Sequence, residues 1–172
     1  MAELMSNMKM IQESTIEQIV EQFENEAFDL EKTVAEFAGR QPALLSFLLS
    51  ENDGALTDDE RDYLLYLALI IWKSVAKATP DLPKISTEEV AEAEEANWAK
   101  LETTSAKRFR ERLDVFFQDY PQEDLLAFAE DALTLEGSEN GEDADMLRLT
   151  PEGREPMFVA LKTVIDVLTS EE

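Results

Sequence analysis

Glu88, Glu89 and Glu92, followed after eighteen residues by Glu111 and Asp114, form the arrangement in this chain best suited to chemistry. Carboxylates three and four residues apart project from one side of a helix. Two such faces, opposed across a turn, can hold magnesium against a polyphosphate, where the ion neutralises charge while water attacks phosphorus. The chain contains no His and no Cys. That removes imidazole bases, thiolate nucleophiles and every His/Cys zinc site. Oxygen ligands alone leave magnesium, manganese or calcium as the metals to consider.

The spacing of these acids resembles that of the all-α nucleotide pyrophosphohydrolases. The likeness covers residues 88–114, and it implies neighbouring antiparallel helices, magnesium as cofactor and a nucleotide triphosphate as substrate. Glu88, Glu89, Glu92, Glu111 and Asp114 would be the metal ligands. A turn at Thr103-Thr104-Ser105 is then required, because an unbroken helix would hold Glu89 and Asp114 about 37 Å apart. Glu-x-x-Asp also occurs at Glu26–Asp29 and Glu142–Asp145, and a solvated acidic helix face accounts for the pattern without a metal.

Three further patterns carry weaker chemistry. Glu51-Asn52-Asp53-Gly54 and Glu139-Asn140-Gly141 have the outline of calcium loops, yet Leu49 and Leu147 fall where a ligand oxygen is needed. Turns rich in Asn, Asp and Gly explain both. The run from Leu147 to Arg154 resembles the passage after the wing of winged-helix repressors, but the helix expected before it, Glu123–Leu135, carries four acids and no base. Lys107, Arg108 and Arg112 belong to the one basic cluster, suited to an acidic partner or phosphate, or to pairing with acids of a neighbouring helix.

The elements that must position these groups are helices. Gly and Pro number 5 and 6 in 172 residues, and apolar residues recur at helical spacing. Ser14 with Glu17, Thr57 with Glu60 and Ser86 with Glu89 each fit a capping box. Ile16, Val20, Phe23, Ala27, Leu30, Val34 and Phe37 define one long helix, or two in register, ending at Gly39. A short helix follows from Pro42 to about Leu49, then a buried one from Asp58 to about Ala78. A polar stretch from Glu88 to Glu95 whose stripe continues through Trp98, Leu101, Phe109, Leu113 and Phe116, with Thr103-Thr104-Ser105 as a candidate break, a helix from Pro121 to about Leu135, and a last one from about Pro156 to Leu168 complete the set. The order long helix, short helix, acidic loop, apolar helix occurs twice, over 14–79 and 86–169, which reads as an internal repeat of two three-helix units.

Lys and Arg total 15 against 39 Asp and Glu, a formal charge of −24. Such a field repels nucleic acid and anionic lipid and attracts basic proteins. With 44% hydrophobic residues the chain nonetheless has a core to bury. Glu3 stands where a secretion signal carries positive charge, and the longest apolar stretch, Tyr63–Trp72, is too short for a membrane span. A single all-α domain of six to seven helices is therefore expected, a bundle or short solenoid in the cytoplasm, with a core of Phe23, Leu30, Phe37, Leu67, Ile71, Phe109, Phe116, Leu161 and Ile165. Its expected role is a non-enzymatic protein–protein interaction module without cofactor, bound to an unidentified and plausibly basic protein, and to neither nucleic acid nor membrane. The alternative is the magnesium-dependent pyrophosphohydrolase.

Overall fold

The computed structural model describes residues 10–50, 56–134 and 151–169. These form eight helices and no strand: α1 (Glu13–Glu24), α2 (Leu30–Arg40), α3 (Pro42–Ser50), α4 (Asp58–Ala78), α5 (Thr87–Leu101), α6 (Phe109–Phe117), α7 (Glu123–Thr134) and α8 (Pro151–Thr169). The all-α bundle agrees with the sequence pattern, but eight helices replace the expected six or seven. The count rises because both long stripes break. Asn25 ends α1 by accepting the Ala27 N–H on its own Oδ1 at 2.8 Å, and Asp29 restarts the chain by capping Lys32 N. At the second break the Thr103 hydroxyl donates to Lys100 O and the Thr104 hydroxyl accepts the Ala106 N–H. This is the candidate break at Thr103-Thr104-Ser105.

Two of the three capping boxes are present. Thr57 and Glu60 open α4, and Ser86 and Glu89 open α5, each pair exchanging both hydrogen bonds. Ser14 instead lies inside α1, whose N-cap is Gln12. Gly39 is likewise inside α2, which runs on to Arg40, so it is not the terminating cap the spacing predicted. The last helix starts at Pro151, in the first-turn position that tolerates proline, and carries Pro156 internally. Leu30 is the clearest correction to the expected core. It is 45% exposed, since the break at Asn25 resets the helical phase and leaves it as the first residue of α2. Phe109 is only partly buried, while Phe23, Phe37, Leu67, Ile71, Phe116, Leu161 and Ile165 are buried as expected.

The apolar helices α4 and α8 pack on each other at the centre. Around them, α1, α2 and α3 lie against α4, whereas α5 and α7 lie against α8. Across the halves α1 touches α7 and α3 touches α5. Two buried glutamines fasten this exchange. Gln41 Oε1 accepts the Ile85 N–H at 2.9 Å while its amide donates to Pro83 O, and Gln122 Oε1 accepts the Ile11 N–H at 2.9 Å. No helix of the described residues is long and apolar enough to cross a membrane. The acidic loops 51–54 and 137–145, the N-terminal stripe through Met8, and 147–150 lie outside the described residues.

Candidate functional site

The acids singled out by spacing are all exposed: Glu88, Glu89 and Glu92 on α5, Glu111 and Asp114 on α6. Glu89 is engaged in its capping box. The turn between α5 and α6 that a metal site would need is there, and the two helices touch. Even so, among the described residues no group of three or more Asp or Glu converges to hold a metal ion, and these five are not brought together as one. Of the basic cluster, Arg112 points inward, pairing with Glu155 of α8 and donating to Ala106 O at 3.0 Å. It is therefore not free for a partner, and it matches the internal-pairing alternative. Lys107 and Arg108 are exposed on the connection into α6.

A concave surface lies elsewhere, between α1 and α7. It encloses about 520 Å³ and is lined by Glu13, Ile16, Glu17, Val20, Glu21, Asp124, Ala127, Phe128 and Asp131. Its floor is apolar, formed by Ile16 and Val20 from one helix and Ala127 and Phe128 from the other. Its rims are acidic. Glu13, Glu17 and Glu21 follow at successive turns of α1, and Asp124 and Asp131 stand two turns apart on α7. Asp124 accepts the Glu13 N–H at 2.9 Å, supplying the helix-start acceptor that Gln12 does not provide. Asp131 pairs with Arg110 at 3.0 Å. Among the described residues no Lys or Arg pairs with Glu13, Glu17 or Glu21. Three carboxylates along an apolar trough therefore lack a cation among the described residues.

Beside Arg110, burial raises the Glu130 carboxyl above the usual glutamate range; Arg110 opposes this, while Asp131 and Asp114 add to it.

A second polar constellation sits in the core. Lys162 of α8 is 6% exposed and donates to Asn97 Oδ1 and Asp166 Oδ2, both at 2.9 Å. Its Nζ also lies over the Tyr120 and Phe116 rings, 4.6 and 5.3 Å from their centroids. Asn97 donates to Thr163 Oγ1 and Asp166 Oδ2, and the Tyr120 hydroxyl donates to Asp166 Oδ1. Burial, reinforced by the Asp166 carboxylate, pushes the Tyr120 phenol far above its ordinary range, so it stays a donor. Every polar member is engaged by another, which is the condition for a structural network rather than a poised nucleophile. Lys162 and Asp166 four apart in an otherwise apolar helix were its signal in the sequence.

A scan against protein-family models and searches of curated proteins and of solved structures return no match.

Proposed function

We propose that this protein is a non-enzymatic interaction module of the cytoplasm whose α1/α7 groove receives a basic amphipathic helix. The observation carrying this reading is the groove itself, an apolar floor between two rows of carboxylates of which Glu13, Glu17 and Glu21 have no cation among the described residues. A helix with an apolar stripe flanked by Lys or Arg complements both features at once. The charge of −24 steers such a partner towards the protein and repels nucleic acid phosphate and anionic lipid.

The test is fluorescence anisotropy with a labelled synthetic helix of about 18 residues bearing a leucine stripe flanked by lysines. A scrambled peptide of the same composition, with the stripe dispersed, is the comparison. Binding of the amphipathic peptide at least tenfold tighter than the scramble, and weakening between about 20 and 300 mM salt, supports the groove. Equal binding of both peptides would show that only the general field acts, and would refute it.

A further inference from the structure

We infer that the two halves are copies of one four-helix unit closed on each other by an approximate two-fold, and that of the two corresponding seams between them only α1/α7 is a receptor, taking one basic helix per chain. The partner's chemistry rests on the function proposed above, whereas the duplication rests on packing alone.

Most helix contacts map onto themselves when the first four helices are exchanged for the last four; the α5–α6 and α2–α4 contacts have no counterpart of similar extent. α1 lies on α4 as α5 lies on α8, α3 on α4 as α7 on α8, and α2 on α3 as α6 on α7. Between halves, α1 meets α7 and α5 meets α3. That reciprocity belongs to a closed two-fold arrangement, because a linear stack would join the units through different surfaces. The glutamines repeat it in detail. Gln41, just before Pro42, holds Ile85, two residues ahead of α5; Gln122, just after Pro121, holds Ile11, two residues ahead of α1.

Aligned on these anchors, buried positions coincide: Ile16 with Val90, Phe23 with Asn97, Leu44 with Leu125, and Leu48 with Ala129. In the central pair, aligning Arg61 with Arg154 matches Leu64 with Met157, Ile71 with Val164, and Val75 with Leu168, all buried. The same register equates Glu60 with Gly153, and those two residues meet: a Cβ on Gly153 would lie 2.7 Å from the Glu60 carboxylate. Equivalent residues touch each other where they sit on a two-fold axis.

The duplication supplies a control for the groove. The floor positions Ile16 and Phe128 correspond to Val90 and Phe47, whereas Val20 and Ala127 correspond to Glu94 and Ser46, so the apolar floor recurs only in part at the α3/α5 seam. The rim does not. Glu13, Glu17 and Asp124 correspond to Thr87, Ala91 and Ala43; only Glu21 meets another acid, Glu95. Seating the first helix of one unit on the third helix of the other therefore does not require carboxylates. Their mutual repulsion opposes the compact state, and among the described residues no cation offsets it at Glu13, Glu17 or Glu21, which fits a cation supplied by a partner. Glu13, Glu17 and Glu21 are spread along about 12 Å of helix. A helical ligand with a cation on each turn meets all three.

Titration calorimetry with the lysine/leucine helix above tests this. The variant Glu13→Thr with Glu17→Ala gives α1 the residues that α5 carries at the same places; Asp124 is kept because it accepts the Glu13 N–H. Glu88→Ala with Glu92→Ala removes the same charge from the exposed face of α5. One peptide per chain is expected, with Kd rising about tenfold in the first variant and less than twofold in the second. Thermal unfolding should show both variants folded. Two peptides per chain, or equal weakening in the two variants, overturns the inference while leaving a peptide-binding protein. No binding by the parent protein overturns the receptor assignment together with the proposed function.

Discussion

On the duplication inferred above, Phe23 on α1 and Asn97 on α5 fall at corresponding buried places, and the two halves fill them in opposite ways. In the first half Phe23 stacks on Phe28 at 4.2 Å and meets the edge of Tyr66 at 5.7 Å. In the second half Asn97 joins the Lys162–Asp166–Tyr120 network, and the place of Lys162 is taken in α4 by the buried Leu69. One backbone arrangement is thus compatible with an aromatic cluster and with a buried ion pair. The pair is tolerated because Asn97, Asp166 and two ring faces replace the water that Lys162 loses. An ionic junction in one half and an apolar one in the other also makes the halves non-interchangeable, which favours a single pairing of helices over its swapped alternative.

The strongest way to break this comparison is Asp166→Ala. It leaves Lys162 buried with Asn97 Oδ1 as its remaining polar acceptor, and is expected to cost about 3 kcal/mol in urea unfolding. The double change Lys162→Leu with Asp166→Leu removes both buried charges but leaves Asn97 Oδ1 and the Tyr120 hydroxyl without these partners, so it should recover only part of that loss and stay about 1–2 kcal/mol below the parent. If the double variant is the less stable of the two, the network contributes more than mutual compensation.

The glutamines come next. Gln41→Leu and Gln122→Leu each strip a buried backbone N–H of its acceptor, and each should lose about 1–3 kcal/mol. Similar losses are expected from equivalent positions, so a large inequality in denaturant midpoints would count against the duplication.

The two glycines should then part in sign. Gly153→Ala drives a methyl into the Glu60 carboxylate, which is wholly buried, and should cost about 1–3 kcal/mol. Gly39→Ala meets nothing within 4 Å inside α2 and should gain about 0.5–1 kcal/mol. Loss of stability at both positions would remove the close approach of α4 and α8 as the cause.

The smallest effect concerns pH. Glu130 has its carboxyl raised above the ordinary value of 4.5, chiefly by burial, so the folded state holds that proton more tightly than the unfolded chain. Its favourable contribution is complete below 4.5 and is lost as pH rises through the folded value. Glu130→Gln should therefore gain on the parent as pH is raised from 4 to 7, by about 1 °C in Tm. A constant difference across that range would assign the effect to packing.

Much of the helical framework was legible because its causes are local. Thr57 with Glu60 and Ser86 with Glu89 lie within one turn of each other, and both form the capping boxes their spacing predicts. The sequence left open whether residues 86–117 form one helix or two; the hydroxyls of Thr103 and Thr104, which compete with the backbone, break it there. Leu30 was misplaced because its stripe is continuous in sequence while the backbone breaks at Asn25, a competition between helix and side-chain turn that periodicity does not weigh. The acid row Glu13, Glu17 and Glu21 was present in the sequence, but nothing local distinguished it from the row at Glu88, Glu89 and Glu92.

Composition, the absence of His and Cys, helical spacing and local capping determined by themselves an acidic all-α protein and most of its helices, because each depends on residues within a few turns. Tertiary structure alone decided which acids face an apolar trough. Asp124 reaches Glu13 across 111 residues and Lys162 reaches Asn97 across 65, so the groove and the buried network exist only once α4 and α8 have packed and brought α1 beside α7 and α5 beside α8.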